Sequence, residues 1–326
     1  MAVFTTPEQW KSVLDITMQT STNSSLHPVV EAYETFVFDY VVDIFSLVIA
    51  LVGLVGNSIV LWLLGFHIQR SPFSVYILNL AVSDALFLCT CFGVRMWEIV
   101  GDLNPFVLDV LGPCILNLPY WVSLSLLASI STERCLSVLF PIWYRCHRPK
   151  HTSVAVCAIL WALSSLFWGT LVALYFLENH HVFVFHHALA LVEFGWFALL
   201  TCVLCISSLT LVLRVQCSSQ RQRPPRLYLL VLLAVLLFLV FGLPLGIIDA
   251  MWFSNIFSLM SYAHSRLLAC VNSSANPFIY FFLGSHWSRR GREPLRVVLQ
   301  RALGEEQEGG FGVRDTSHPN TLDKLS

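Results

Sequence analysis

The chain has 326 residues, of which 56% are hydrophobic and only 12% charged, with a formal net charge of −1. That balance excludes a soluble globular domain, whose usual share of charged residues is about twice as large. Met1 to Thr20 is largely polar and has no apolar h-region, so no cleaved signal peptide is expected and the first apolar run serves as an uncleaved anchor. Most of the ten cysteines fall in or near apolar runs, and Cys146 and Cys217 fall in basic segments, so an extracellular disulfide framework is not expected.

In chain order, residues 1–35 read as a polar extracellular tail with a glycosylation acceptor at Asn23-Ser-Ser. Apolar runs then predict seven membrane-spanning helices within 36–283, each matching a hydrocarbon layer of roughly 30 Å. They cover about 36–66, 73–97, 110–140, 153–177, 188–215, 227–253 and 256–283. A His-rich loop (His180, His181, His186 and His187) is expected between the fourth and fifth, where solvated side chains are commoner than metal binding or pH sensing. Orientation follows from the basic residues. The segments after the first, third and fifth runs carry Arg70, Arg145, Arg148, Lys150, Arg214, Arg221, Arg223 and Arg226, whereas the tail and the other three loops carry only Lys11. The N-terminus is therefore expected outside and the C-terminus inside. Residues 284–303 alternate basic and apolar, as in an amphipathic helix on an anionic inner leaflet. Residues 304–326 read as a disordered cytoplasmic tail with phosphorylatable Thr316, Ser317, Thr321 and Ser326. The fold class is all-α: a seven-helix membrane bundle plus a short amphipathic helix.

The third run ends in Glu133-Arg134, two adjacent charges inside a continuing apolar pattern. Charges at such depth cost a few kcal/mol each, so they face protein and serve a purpose. A carboxylate directly before an arginine suits a guanidinium held in place until a competing partner draws it away. Asn57, Asp84, Ser123, Asn272 and Asn276 are also costly to bury singly. They serve either as separate helix–helix hydrogen bonds or, together, as a ring around a small cation. Pro244, between Gly242 and Gly246, and Pro277, after Asn276, weaken the sixth and seventh helices locally. They mark either static kinks or a movable pair.

Gly56-Asn57, Leu80-Ala-Val-Ser-Asp84, Glu133-Arg-Cys135, Trp161, Pro244 and Asn276-Pro-Phe-Ile-Tyr280 together resemble the marks of a rhodopsin-like (class A) G protein-coupled receptor over about residues 40–302. More narrowly, Tyr76-Ile-Leu-Asn-Leu-Ala81, the string from Ser131 to Pro149, Asn272-Ser-Ser-Ala-Asn-Pro277 and Val298-Leu-Gln-Arg-Ala-Leu303 resemble the Mas-related receptors. The resemblance implies a plasma-membrane receptor of sensory neurons or mast cells, with a role in nociception, itch or mast-cell-type signalling. Such receptors couple to Gq- or Gi-type heterotrimeric G proteins and are regulated by arrestin and receptor kinases. Carried over by motif, Arg134 is the switch that leaves Glu133 for the G protein, and Tyr280 swings inward. Gly242, Pro244, Asn276 and Pro277 are the hinges, and Asp84, Ser123, Asn272 and Asn276 form the pocket for an allosteric sodium ion.

The departures from the family pattern carry information too. The expected outer loop at about 178–187 has no cysteine, and Cys157 and Cys202 lie too deep for an upper bridge between the fourth and fifth helices. Gly242 stands where class A receptors usually place a tryptophan, as in the Mas-related group. No acidic residue lies between Glu193 and Asp249, so Arg134 has no latch at the start of the sixth helix and appreciable basal signalling is expected.

From the outside to mid-membrane, twelve acidic residues face only Lys11, Arg95 and Arg266. Such a field draws cations and repels anions, and the resemblance likewise points to cationic peptides or amphiphilic amines. Leu171 and Ala190 fill the acidic anchor positions of some relatives; Glu193, about one turn below Ala190, can substitute. The ligand-binding candidates are Glu193, Asp249, Arg95, Arg266, Trp97 and Glu98. The competing assignment pairs Glu193 and Asp249 with Arg95 and Arg266 inside the bundle. Leu116 replaces the aspartate of amine receptors, and the seventh helix has no lysine for a retinal Schiff base. An intramembrane protease lacks its motifs here, a transporter lacks matched broken helices, and the basic residues follow membrane topology rather than a nucleic-acid face. A mainly basal receptor, or one with a non-cationic ligand, is the nearer alternative.

Overall fold

The computed structural model describes residues 26–68, 71–100, 112–149, 151–176, 182–217, 226–252, 262–286 and 294–303. Seven helices are long and apolar enough to cross a membrane. The first, Leu26–Trp62, ends in a π-helical turn, Leu63–His67. The second to fifth are Pro72–Val100, Gly112–Leu139, Thr152–Tyr175 and Val182–Cys217. The sixth is Arg226–Leu237, a π turn at Phe238–Gly242 and then Leu243–Trp252. The seventh is Tyr262–His286. No strand occurs among the described residues.

The third helix is the axis of the bundle. Its most apolar window is 78% buried inside the protein, against 17% for the fourth helix. It is also among the less hydropathic of the seven, at a mean of 1.4, because a helix shielded from lipid on all sides can carry Asn117, Ser123, Ser125 and Ser131. The first and seventh helices approach closely at Gly53, where a side chain would collide with Ser274, and at Gly56, where a Cβ would come 3.1 Å from Pro277. Small residues allow such approach where lipid offers no hydrophobic drive to packing. Asn57 Nδ2 and Ser274 Oγ then donate across the seam to the carbonyls of Ser273, at 3.1 Å, and Ile49, at 3.1 Å.

Several boundaries differ from those read in the sequence. The first helix begins at Leu26, ten residues before Phe36, because hydropathy locates the crossing and not the last helical turn. The fifth helix begins at Val182, so His186 and His187 belong to it and not to a loop. A short helix absent from the sequence reading, Pro141–His147, follows the third span; Pro141 occupies its first turn, where a missing N–H costs nothing.

The sixth helix changes form beside Pro244. Pro244 cannot donate to residue 240, and the widened π turn lies directly before it. The amphipathic helix is Leu295–Ala302, shorter than the expected 284–303, whose first residues still belong to the seventh helix. Val298, Leu299 and Leu303 are buried against protein and Arg296 is exposed. Part of the apolar face therefore packs on the bundle, where Gly284 leaves room for the Val298 backbone, while Leu295 is exposed. Asn23 and the tail 304–326 lie outside the described residues, as do the side chains of Trp97, Glu98 and Arg226.

Candidate functional site

Three polar clusters thread the bundle. In the middle, Asp84 of the second helix is fully buried. Its Oδ1 accepts from Ser123 Oγ at 3.0 Å and its Oδ2 from Asn276 Nδ2 at 2.7 Å. Three helices are thereby tied through one carboxylate, the satisfaction a buried charge requires. Tyr280, one turn from Asn276, is 1% exposed and close enough to Asp84 to feel its charge. Asn272 is not hydrogen-bonded to this cluster; it lies against Gly242, where a Cβ would come 3.3 Å from its Nδ2. Phe238 fills the rest of the space beside Gly242. For a sodium ion, the oxygen donors that fit are the Asp84 carboxylate and Ser123 Oγ, with Asn276 contributing its carbonyl if the amide turned over. Asn272 falls outside that set.

At one end of the bundle the adjacent charges do not pair with each other. Glu133 accepts from Tyr76 Oη at 2.8 Å, from Tyr144 Oη at 3.0 Å and from Arg148 Nη2 at 2.9 and 2.8 Å. Arg148 also donates to Ser153 Oγ at 2.5 Å. No hydrogen bond joins Glu133 to Arg134; the Arg134 guanidinium lies 4.2 Å from the centroid of the Phe73 ring. The expectation that Glu133 holds Arg134 is therefore corrected: consecutive helical residues point about 100° apart, and the short helix brings a better-placed arginine back to the carboxylate. Burial, with the Glu133 charge beside it, pushes the Tyr144 hydroxyl up and keeps it a donor. Burial alone would lower Arg148, but Glu133 outweighs it and the net direction is upward.

At the opposite end, four ionisable side chains from four helices are buried: Arg95, Glu193, Asp249 and Arg266, at 7%, 5%, 8% and 8% exposure. Arg95 pairs with Asp43 of the first helix at 2.8 Å, a partner the sequence reading did not name. Glu193 and Arg266 both lie within electrostatic reach of Asp249. Glu193 Oε1 and Asp249 Oδ2 are buried without a hydrogen-bond partner among the described residues. Between them stands an aromatic ladder: Phe87 to Tyr120 at 6.2 Å, Tyr120 to Trp121 at 6.1 Å and Trp121 to Phe197 at 5.8 Å. Tyr120 Oη donates to the Gly242 carbonyl at 3.1 Å, linking this end to the π turn of the sixth helix.

Residues 56–280 match the family model of the 7 transmembrane receptor (rhodopsin family). The chain is 45% identical over 278 residues to Mas-related G-protein coupled receptor member X3 of Macaca mulatta, covering 82% of this chain and 85% of that one. It is 43% identical over 285 residues to member E of Mus musculus, covering 84% and 90%, and 41% identical over 278 residues to member A1 of the same species, covering 82% and 90%. The chain belongs to the Mas-related receptors.

It is accordingly a multi-pass membrane receptor that takes an extracellular ligand and signals through heterotrimeric G proteins, and not an enzyme. Trp161, singled out as a family mark, donates to Asn79 Oδ1 at 3.1 Å and so joins the fourth helix to the second. The nine cysteines of this receptor whose side chains are described are free. Cys157 sits within reach of the Glu133 charge, at the far end from Glu193. Tyr76, Tyr144, Arg148 and Asp43 were missed as functional residues. The first three lie in the strings that carry the resemblance, but nothing in their spacing showed that they meet one carboxylate.

Proposed function

We propose that this Mas-related receptor lies in the plasma membrane with its N-terminus outside and responds to a cationic peptide or amphiphilic amine. Binding activates Gq- or Gi-type G proteins, in nociception, itch or mast-cell-type signalling. One observation carries the reading: two buried carboxylates, Glu193 and Asp249, each keep an oxygen without a hydrogen-bond partner among the described residues. A buried carboxylate left so costs several kcal/mol unless a cation completes it. The aromatic ladder beside them supplies ring faces for the same charge. Tyr120 and the π turn give a route from that cation to the Pro244 hinge, and Arg134, resting on Phe73, is available to a G protein when the sixth helix moves. Arrestin and receptor kinases act on the same end of the protein and on its C-terminal tail.

Calcium and cAMP responses in transfected cells, with a panel of cationic peptides and amines beside anionic and neutral controls, test this reading. A response confined to cations and silenced by Arg134→Ala at matched surface expression is the expected result. A response only to anionic or neutral compounds would overturn it. A second reading, mainly basal activity, is favoured by the absence of a hydrogen bond between Glu133 and Arg134. Ligand-free signalling no higher than in mock-transfected cells would count against that one.

Sodium binds at Asp84 and Ser123 in this proposal and favours the resting state. Replacing sodium chloride by choline chloride is expected to lower the melting temperature of the purified receptor, and Asp84→Asn to abolish the difference. An equal sodium effect in both proteins would rule out the site.

A further inference from the structure

The seam between the third, fourth and fifth helices holds a cavity of about 210 Å³. Its floor and its mouth differ in kind. Trp121, Ser125, Trp168 and Glu193 form the floor and are buried, whereas Leu163, Val192 and Trp196 at the rim are 52%, 57% and 40% exposed. All three rim residues fall inside the apolar crossing segments. Their exposed faces therefore meet lipid, and the mouth opens sideways into the bilayer. Glu193 is the only charged residue lining the cavity among the described residues. The Trp121 indole lies beside its carboxylate but too poorly aligned to close a hydrogen bond, and neither Trp121 Nε1 nor Glu193 Oε1 has another partner among the described residues. A carboxylate so placed is costly in a membrane unless something completes it.

We infer that this cavity binds a protonated lipophilic amine that arrives through the bilayer, its ammonium on Glu193 and its chain leaving between Leu163 and Val192. The chemistry of the wall selects the charge. Trp121, Trp168 and Trp196 line the cavity with the carboxylate, and an ammonium gains from both rings and charge once water is excluded. The volume selects the shape. At about 210 Å³ the cavity is smaller than the usual pocket of ~300 Å³ or more for a drug-sized ligand. It accepts a headgroup and the first methylenes, and the remaining chain stays in lipid; a peptide does not fit. The inference shares with the proposed function the premise that Glu193 receives a cation, and adds to it a separate seam site and a route from the membrane.

The test is photolabelling of the purified full-length receptor in phosphatidylcholine nanodiscs with a diazirine-bearing dodecylamine. Label is expected on peptides containing Leu163–Trp168 and Val192–Trp196, with at least tenfold suppression by excess dodecylamine and little by dodecanol. Glu193→Gln is expected to reduce labelling tenfold or more. Ser164→Trp, which plugs the mouth and leaves the charge in place, is expected to do the same at an unchanged melting temperature. Competition by dodecanol equal to that by dodecylamine, or labelling untouched by both substitutions, would overturn the inference. Labelling that fails while agonist potency still depends on Glu193 would remove the membrane route alone. Labelling that holds while no extracellular cation signals would remove the proposed function alone.

Discussion

Replacing Glu133 by alanine is expected to destabilise the receptor by about 3 kcal/mol, the lower end of the cost of stranding a buried charge, and to raise its ligand-free signalling. The carboxylate gathers Tyr76 of the second helix, Tyr144 of the short helix and Arg148 beside the fourth. Arg148 is 9% exposed at its side chain and Glu133 14%, so loss of the acid leaves the guanidinium desolvated with only Ser153 and the Tyr144 ring beside it. Arg148→Ala is expected to cost less, because two tyrosine hydroxyls continue to satisfy the carboxylate. Glu133→Gln with Arg148→Gln removes both charges and recovers much of the loss, so a double-mutant cycle should show coupling of about 1 kcal/mol or more. Melting curves of the solubilised proteins and ligand-free inositol phosphate accumulation read the two halves. Strictly additive effects would mean that the pair does not hold this end of the bundle together.

Glu193→Gln and Asp249→Asn are each expected to raise the half-maximal concentration of a cationic agonist about 10- to 100-fold. A hydrogen bond to a charged group contributes about 1.5–3 kcal/mol, and each 1.4 kcal/mol is roughly tenfold in affinity. Because Glu193 and Asp249 lie within electrostatic reach of one another, their effects should not add. The first neutralisation also relieves repulsion between two acids, which offsets part of its cost, so the doubly neutral protein is expected to lose more than the product of the two factors. Surface expression should hold or improve, since each change removes a buried charge without changing shape. Full potency after both substitutions would place the cation elsewhere and leave Arg266 as the cation beside Asp249. Concentration–response curves at matched expression, with radioligand competition, separate loss of binding from loss of coupling.

Much of this receptor is decided by local chemistry and so is legible in the chain. Seven crossings follow from run length, because lipid obliges each apolar stretch to satisfy its own backbone. The irregularity beside Pro244 follows from a missing N–H, and the π turn is the form that loss takes. That Asp84, Ser123 and Asn276 belong together follows from the cost of burying each alone. What the sequence could not decide was which polar groups meet across helices. Helix rotation and tilt set that, and a periodic pattern fixes neither once a helix is apolar on all sides. Neighbours in sequence made Glu133 and Arg134 the natural pair; the reversal at Phe140 gave Glu133 to Arg148 instead. Arg95 went to Asp43 rather than to the acids of the fifth and sixth helices. Asn272 turned to Gly242 while Asn276, one turn on, reached Asp84. In each case the residue types were set by the energetics of burial, and the partners by the packing of one helix against another.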